Sequence, residues 1–327
     1  MNDLRLLPVS EQVGLLFVAL FGMLALLSVA VAWLTVRNED DVSGTALQRA
    51  ERNTQVRRDL RAVWLGALVF WVSWISGAVG ATLTFAVFSF LALREFVTLL
   101  QTRRSDHRSL LLAFFVALPL QYLLVGLRAF DLFTVFVPVF VFGALPVVAA
   151  LAGDPERFLS RNAEIQWGIM VCVFGLSHAP ALLLLNLPQF EQRGAFLLFF
   201  LVMVVALAHI AQEGASRRLR RRPLVRQIDR SFSFRAWALG VAAAAVLGAA
   251  LFWITPVEPL HAAFAAAVAG GCGTLGDLVM RAMKKDAGVR YWGNRSSVTG
   301  AVGLLDRLAP LCFAAPVFFY TVRWTFA

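Results

Sequence analysis

The chain has 327 residues, a net charge of +10, and a composition that is 59% hydrophobic and only 15% charged. A soluble domain carries roughly 25% charged residues, and a mean hydropathy of +0.73 leaves more apolar surface than a water-soluble core can hide. A spanning β-barrel is excluded because no alternating segments of about ten residues occur, and a nucleic-acid-binding protein is excluded because the basic residues sit in short loops between apolar blocks.

The apolar blocks approach bilayer length, roughly 17–25 residues each, and helices satisfy their own backbone hydrogen bonds in lipid. The sequence therefore reads as an all-α, polytopic membrane protein with about ten transmembrane helices. In chain order the spans fall near 13–36, 62–77, 79–98, 109–127, 132–153, 166–186, 195–212, 236–255, 261–280 and 304–325. The first block lacks a basic leader region and a cleavage site, so it reads as a retained span. The stretch 62–98 must fold back near Ser76, Gly77 and Gly80. The whole chain, 1–327, forms a single integral membrane domain, with N-terminal helices over 13–100 and a distinctive C-terminal part over 261–325.

Ten spans generate two alternating sets of loops. Residues 37–61, 99–108, 154–165, 213–235 and 281–303 hold most of the arginines and both lysines. The opposite set offers Arg5, Arg128, Arg193 and little else. Lys and Arg mark the cytoplasmic side. Both termini are therefore expected outside, with the basic loops inside a bacterial inner membrane. Residues 37–61 mix acids and bases and suit a solvated or interfacial helix. Residues 213–235 carry Arg217, Arg218, Arg220, Arg221, Arg222, Arg226, Arg230 and Arg235. Two roles fit this run: an anchor on anionic lipid headgroups, or a cradle for a phosphorylated substrate. Cys172, Cys272 and Cys312 form no CxxC, so neither a disulfide framework nor a zinc site is implied. His178 and His209 lie near helix ends and suit packed or interfacial roles.

The span 261–280 is rich in small residues, which let helices approach closely in lipid. It places Asp277 one turn inside the predicted boundary, where a carboxylate usually has a partner or a function. Arg281, Lys284, Lys285 and Asp286 follow, and Lys284 and Lys285 are the only lysines in the chain. A continued helix puts Asp277, Arg281 and one of the lysines on one face. A loop bearing Gly288, Gly293, Gly300 and Gly303 leads to Asp306 and Arg307. Carboxylates hold divalent metal, and Lys and Arg stabilise charge on phosphate oxygens, so the set suits phosphoryl or nucleotidyl transfer. Structural ion pairs at the membrane interface account for the same residues equally directly. Asp286 reads as a solvated charge.

Residues 276–320 resemble the C-terminal signature of the phosphatidate cytidylyltransferases, the CDP-diacylglycerol synthases. Gly276-Asp277 match its entry, Lys284-Lys285 stand for its Lys-Arg, and Ala287-Gly288-Val289 follow. Gly300, Gly303, Leu304, Leu305, Asp306 and Arg307 align with its end. The run 311–319 looks like the final helix of one bacterial branch. Weaker echoes of that branch are Leu93-Arg94-Glu95-Phe96, Thr102-Arg103-Arg104, Trp167-Gly168 and Leu176-Ser177-His178-Ala179-Pro180. The chain departs from the signature where an acid is replaced by Tyr291, a histidine by Ala301, and a further acid by Ala309. The Ser-Pro-x-Lys-Thr-x-Glu-Gly loop of the family reads Ser231-Phe232-Ser233-Phe234-Arg235 here.

The resemblance implies transfer of CMP from CTP to phosphatidic acid, giving CDP-diacylglycerol for phospholipid biosynthesis, with Mg²⁺ as the activating metal. It implies Asp277, Asp306 and Lys284 as catalytic residues and Asp277 and Asp306 as metal ligands. Lys285, Arg307 and Arg281 would contact phosphate. The partners implied are phosphatidic acid, CTP and anionic lipid headgroups, a homodimer being compatible with all of these. The missing acids leave open a catalytically inactive relative that binds lipid or a membrane partner. A transporter would place its polar cluster at mid-membrane, whereas this one lies at the edge.

Overall fold

The computed structural model describes residues 9–37, 64, 67–68, 71–73, 75–100, 102–185, 187, 193–219, 224–229, 232–288 and 303–326. Among these, every regular element is helical. The interfacial helix expected over 37–61 beyond Arg37, part of the span at 62–77, Arg220, Arg221, Arg222 and Arg230 of the arginine run, and Tyr291 and Ala301 lie outside the described residues. The chain divides into two compact units, Met1–Gly77 and Ala78–Ala327.

The first unit contains α1 (Val9–Arg37), and the described residues over 64–75 are helical as well. Phe17, Phe21, Trp64 and Trp71 form a ring cluster. The Trp64 indole N–H donates to Ser28 Oγ at 3.0 Å. The helical backbone is interrupted at Ser76, where a break was expected, and Gly77 takes φ +68, a conformation open to glycine without steric cost.

The second unit contains α2 (Gly77–Val97), α3 (Arg104–Gly126), α4 (Phe130–Ala150), α5 (Phe158–Leu184), α6 (Gly194–Arg218), α7 (Phe234–Ala250), α8 (Pro259–Asp286) and α9 (Leu304–Phe326). Seven helices among the described residues are long and apolar enough to cross a membrane, with shorter apolar helices at Glu11–Leu26 and Phe234–Ala250. The polytopic all-α architecture is thus as the hydropathy pattern predicts. Most of α5 is buried, and α6 largely so, whereas α2, α3 and α4 turn most of their apolar surface outward.

Each of α3, α4 and α5 widens into a π-helical stretch, at Ala113–Ala117, Phe136–Val141 and Met170–Gly175. Pro119, Pro146 and Pro180 follow these stretches within a few residues. A proline lacks its N–H and its ring crowds the carbonyl four residues back, so a widened turn just before it relieves the clash. This lets long proline-bearing spans stay continuous.

Several helix ends differ from expectation, and two of them bear on the polar clusters. The helix α5 starts at Phe158, not near 166, because polar side chains at its start find partners. The Arg161 guanidinium donates to Asp154 Oδ2 at 2.7 Å and to Ser105 Oγ at 2.9 Å, and lies 3.6 Å from Asp106. Arg103 adds a bidentate pair with Glu156, one arm at 2.6 Å. A hydropathy window discards such a turn, although its charges are satisfied. Similarly, α8 runs to Asp286, beyond the predicted end at 280, and closes on Gly288 with φ +68.

Asp154 lies between spans, and its partners give it a pH signature. Hydrogen bonds from Arg161, the Glu156 backbone N–H and Ser105 hold its carboxyl down to about 2. A depressed folded-state value means that the contribution is complete above the unfolded value of about 4 and fades as pH falls toward 2. Asp154→Asn is therefore expected to be less stable than the wild type at pH 6. The gap should narrow as pH falls from about 4 to 2. Thermal unfolding in detergent across that window measures it, and a constant gap would remove Asp154 from the acid response.

Candidate functional site

Small residues set the position of α8. A Cβ added at Gly273 would come within 2.9 Å of the Pro310 carbonyl, and one at Gly276 would run into the Phe313 ring. One at Gly270 would meet Ala244 at 2.8 Å and Ala208 at 2.9 Å. The helix is therefore clamped by α9 on one side and by α6 and α7 on the other. In lipid such close approach, rather than hydrophobic exclusion, drives helix association. The clamp fixes the turn that follows, which carries the polar residues.

Asp277 is buried on that turn. Its Oδ2 receives Arg281 Nε at 2.8 Å and a second Arg281 nitrogen at 2.7 Å. The same guanidinium donates to Asp229 Oδ2 at 2.7 Å. His209 Nε2 lies 3.3 Å from Asp277 Oδ2. A chain His209–Asp277–Arg281–Asp229 thus links α6, α8 and the segment before α7. Seven residues beyond Asp277, Lys284 returns to within about 20° of the same helix face. Lys284 Nζ there pairs with Asp306 Oδ1 in the first turn of α9.

The structure therefore brings together four of the residues singled out in the sequence: Asp277, Arg281, Lys284 and Asp306. Lys285 lies a further 100° or so round the helix. It is exposed, and its Nζ donates to the Gln227 carbonyl at 2.7 Å. Arg307 is exposed in the first turn of α9. Asp286 is exposed, in keeping with a solvated charge. His178 is packed as expected, within Phe133, Phe174, Phe319 and Tyr320, with Nδ1 2.7 Å from the Phe174 carbonyl. His209 is partly exposed and sits against Asp277. Ala309, where the signature has an acid, is fully buried in α9.

Three participants were not legible as such. Asp229 is one of only two acids among the arginines of 213–235, and that rarity is its signal. Gln227 contributes a backbone carbonyl, for which sequence gives no signal. Glu95, in the last turn of α2, sits 209 residues before its partner and is nearly fully buried. Its Oε1 and Oε2 accept from the Leu304 N–H at 3.2 Å and the Leu305 N–H at 2.8 Å. A lone acid in an apolar span was the available clue.

Comparison with known proteins shows the family of the chain. Residues 56–325 match the sequence profile of the cytidylyltransferase family. The chain belongs to that family. It is also 38% identical over 266 residues to the uncharacterized protein YnbB of Escherichia coli (strain K12), covering 80% of this chain and 85% of that protein. The cytidylyltransferase match spans everything from α2 to nearly the end of α9, so the family is carried by the bundle as well as by the C-terminal signature.

Within this cytidylyltransferase-family bundle, both carboxylates of the signature are engaged by cations through one oxygen each. Among the described residues no group of three or more His, Cys, Asp or Glu is assembled to hold a metal ion. What the site offers is two hard-oxygen donors, a guanidinium and an ammonium, gathered where α8 ends and α9 begins. Partly buried charges of this kind are costly unless paired, and here they pair with each other.

Proposed function

We propose that this chain is a membrane nucleotidyltransferase that transfers CMP from CTP to the phosphate of phosphatidic acid, giving CDP-diacylglycerol and pyrophosphate in phospholipid biosynthesis. The observation that carries this reading is the pair of carboxylate–cation contacts, Asp277–Arg281 and Lys284–Asp306, on two adjacent helix ends. The positive-inside pattern supports a cytoplasmic position for this end, in a bacterial inner membrane, with CTP arriving from water and the lipid laterally. Exposed arginines beside it, such as Arg226 and Arg307, suit anionic headgroups.

The chemistry needs no proton transfer from the acceptor. A phosphate oxygen of the lipid forms a bond to the α-phosphorus of CTP, the bond from that phosphorus to the bridging oxygen breaks, and pyrophosphate leaves with the electron pair. Lys284, Arg281 and Lys285 are the residues that would hold phosphate oxygens, as a point charge suits a phosphate and a planar guanidinium binds two oxygens. When they turn to phosphate, Asp306 is released from Lys284 and Asp277 from Arg281, Asp277 keeping its contact with His209. Two carboxylates with substrate phosphates and water are an ordinary setting for Mg²⁺, so Asp277 and Asp306 fit as its protein ligands. Bound there, the ion would neutralise phosphate charge and draw electron density from the α-phosphorus.

A second reading, a lipid-phosphate-binding relative without catalysis, draws on Ala309, which takes the place of an acid, and on the mutual pairing of the charges. The same experiment separates the two. Purified protein in nanodiscs containing phosphatidic acid, given labelled CTP and Mg²⁺, is expected to form CDP-diacylglycerol. If folded protein forms no CDP-lipid with any of several phospholipid acceptors and nucleotides, the catalytic reading fails and the binding reading takes its place.

A further inference from the structure

The first turn of a helix leaves its N–H groups without partners inside the helix. These are usually satisfied by an oxygen-bearing side chain at the N-cap. In α9 the residue before Leu304 is Gly303, with φ +72 and no side chain to offer. The acceptor comes instead from α2. Glu95 gives one carboxylate oxygen to each of the Leu304 and Leu305 N–H groups. A negative charge there also favours the positive end of the helix dipole. Asp306, the partner of Lys284, is the next residue.

The platform beneath Glu95 is rigid. Leu93 and Phe96 on the same turn are almost fully buried. A Cβ at Gly168 of α5 would come within 2.6 Å of the Phe96 ring. Ser89 Oγ donates to the Cys172 carbonyl at 2.6 Å, tying α2 to α5 a further two turns away. On its other face α5 meets α9, where Gly175 sits against the Cys312 carbonyl so closely that no Cβ fits. The helices α2, α5 and α9 are thus locked before the carboxylate engages.

We infer that Glu95 is a positioning residue: from α2 it fixes the first turn of α9, and so sets where Asp306 stands relative to Lys284. Its consequence for catalysis rests on the proposed nucleotidyl transfer, whereas its consequence for the Lys284–Asp306 pair does not. Glutamine at this position keeps the volume and one acceptor but cannot accept both N–H groups as a carboxylate does. The first turn of α9 then loosens and Asp306 drifts.

The sequence supplies an unusual probe, because Lys284 and Lys285 are its only lysines. An amine-reactive label read by mass spectrometry reports on Lys284, with Lys285 as the internal reference. In Glu95→Gln the Lys284:Lys285 labelling ratio is expected to rise about threefold, and kcat to fall about tenfold with KM for CTP little changed, since misplacement acts on the reacting geometry. Glu95→Asp, which restores the charge on a shorter stem, is expected to lie between wild type and Glu95→Gln. If Glu95→Gln does not accumulate, Glu95→Asp carries the same measurement with a smaller rise. A ratio that stays at the wild-type value in the folded variant overturns the proposal, whatever happens to kcat. An inactive wild type overturns the transfer reaction alone, and the labelling ratio still decides the role of Glu95.

Discussion

Asp277→Asn is expected to lower the rate of CDP-lipid formation by about 10²–10³-fold while leaving the bundle folded, the scale seen when one group that stabilises developing charge is removed. Asparagine matches aspartate in size, so the clamp of Gly273 and Gly276 against α9 is undisturbed. Its carbonyl still accepts a hydrogen bond from Arg281 or His209. Arg281 keeps a carboxylate partner in Asp229, so no guanidinium is stranded. What is lost is one negative charge at a fixed point, and with it a hard-oxygen ligand. The loss should appear in kcat and in the Mg²⁺ dependence more than in KM for phosphatidic acid, because the lipid phosphate is assigned to cations. Initial rates across Mg²⁺ concentrations in nanodiscs measure both. A variant that turns over at the wild-type rate would make Asp277 a structural member of the His209–Asp277–Arg281–Asp229 chain and nothing more.

That chain also marks where sequence reasoning stops. The apolar blocks disclosed the helices because bilayer length is a strong constraint on a single chain. The C-terminal acids and lysines disclosed half of the site because they lie within thirty residues of one another, on one helix and the start of the next. His209, Asp229 and Glu95 reach the same place from other elements, and a contact over 68, 52 or 209 residues leaves no local pattern. The start of α5 escapes a hydropathy pattern for a related reason. Arg161 looks like a loop residue until Asp154, Ser105 and Asp106 are seen around it. Charge at a helix end is read as solvent exposure when its partners are invisible.

The glycines of α8 connect these two levels. Their pattern was legible as close packing, and the contacts bear that out at Gly270, Gly273 and Gly276. What packing accomplishes was not legible. By drawing α8 against α9 it sets two helix ends of opposite direction side by side, so that a lysine in the last turn of one meets an acid in the first turn of the other. Each also suits its own helix dipole, with cations near a C-terminus and an anion near an N-terminus.

The Lys284–Asp306 pair allows stability and activity to be separated. Lys284 is mostly buried and Asp306 about a third exposed, so removing one partner strands a charge that water reaches only in part. For a fully buried pair that costs about 3–5 kcal/mol, and partial exposure brings the expectation down to about 1–2 kcal/mol. Lys284→Met keeps the length of the stem and strands the carboxylate. Asp306→Asn strands the ammonium. Each single variant is expected to unfold at a lower temperature than the wild type and to form CDP-lipid at least 10²-fold more slowly, on the order expected for loss of a charge-stabilising group. The double variant strands neither charge, so its unfolding temperature should recover most of the loss, because deletions within one pair are not additive. Its activity should not recover, since a methionine holds no phosphate and an asparagine holds no metal well. Thermal unfolding and initial rates on the same nanodisc preparations decide it. Activity that returned along with stability would mean that the pair only holds α8 against α9, and the reacting groups would then have to be sought among His209, Asp277 and Arg281.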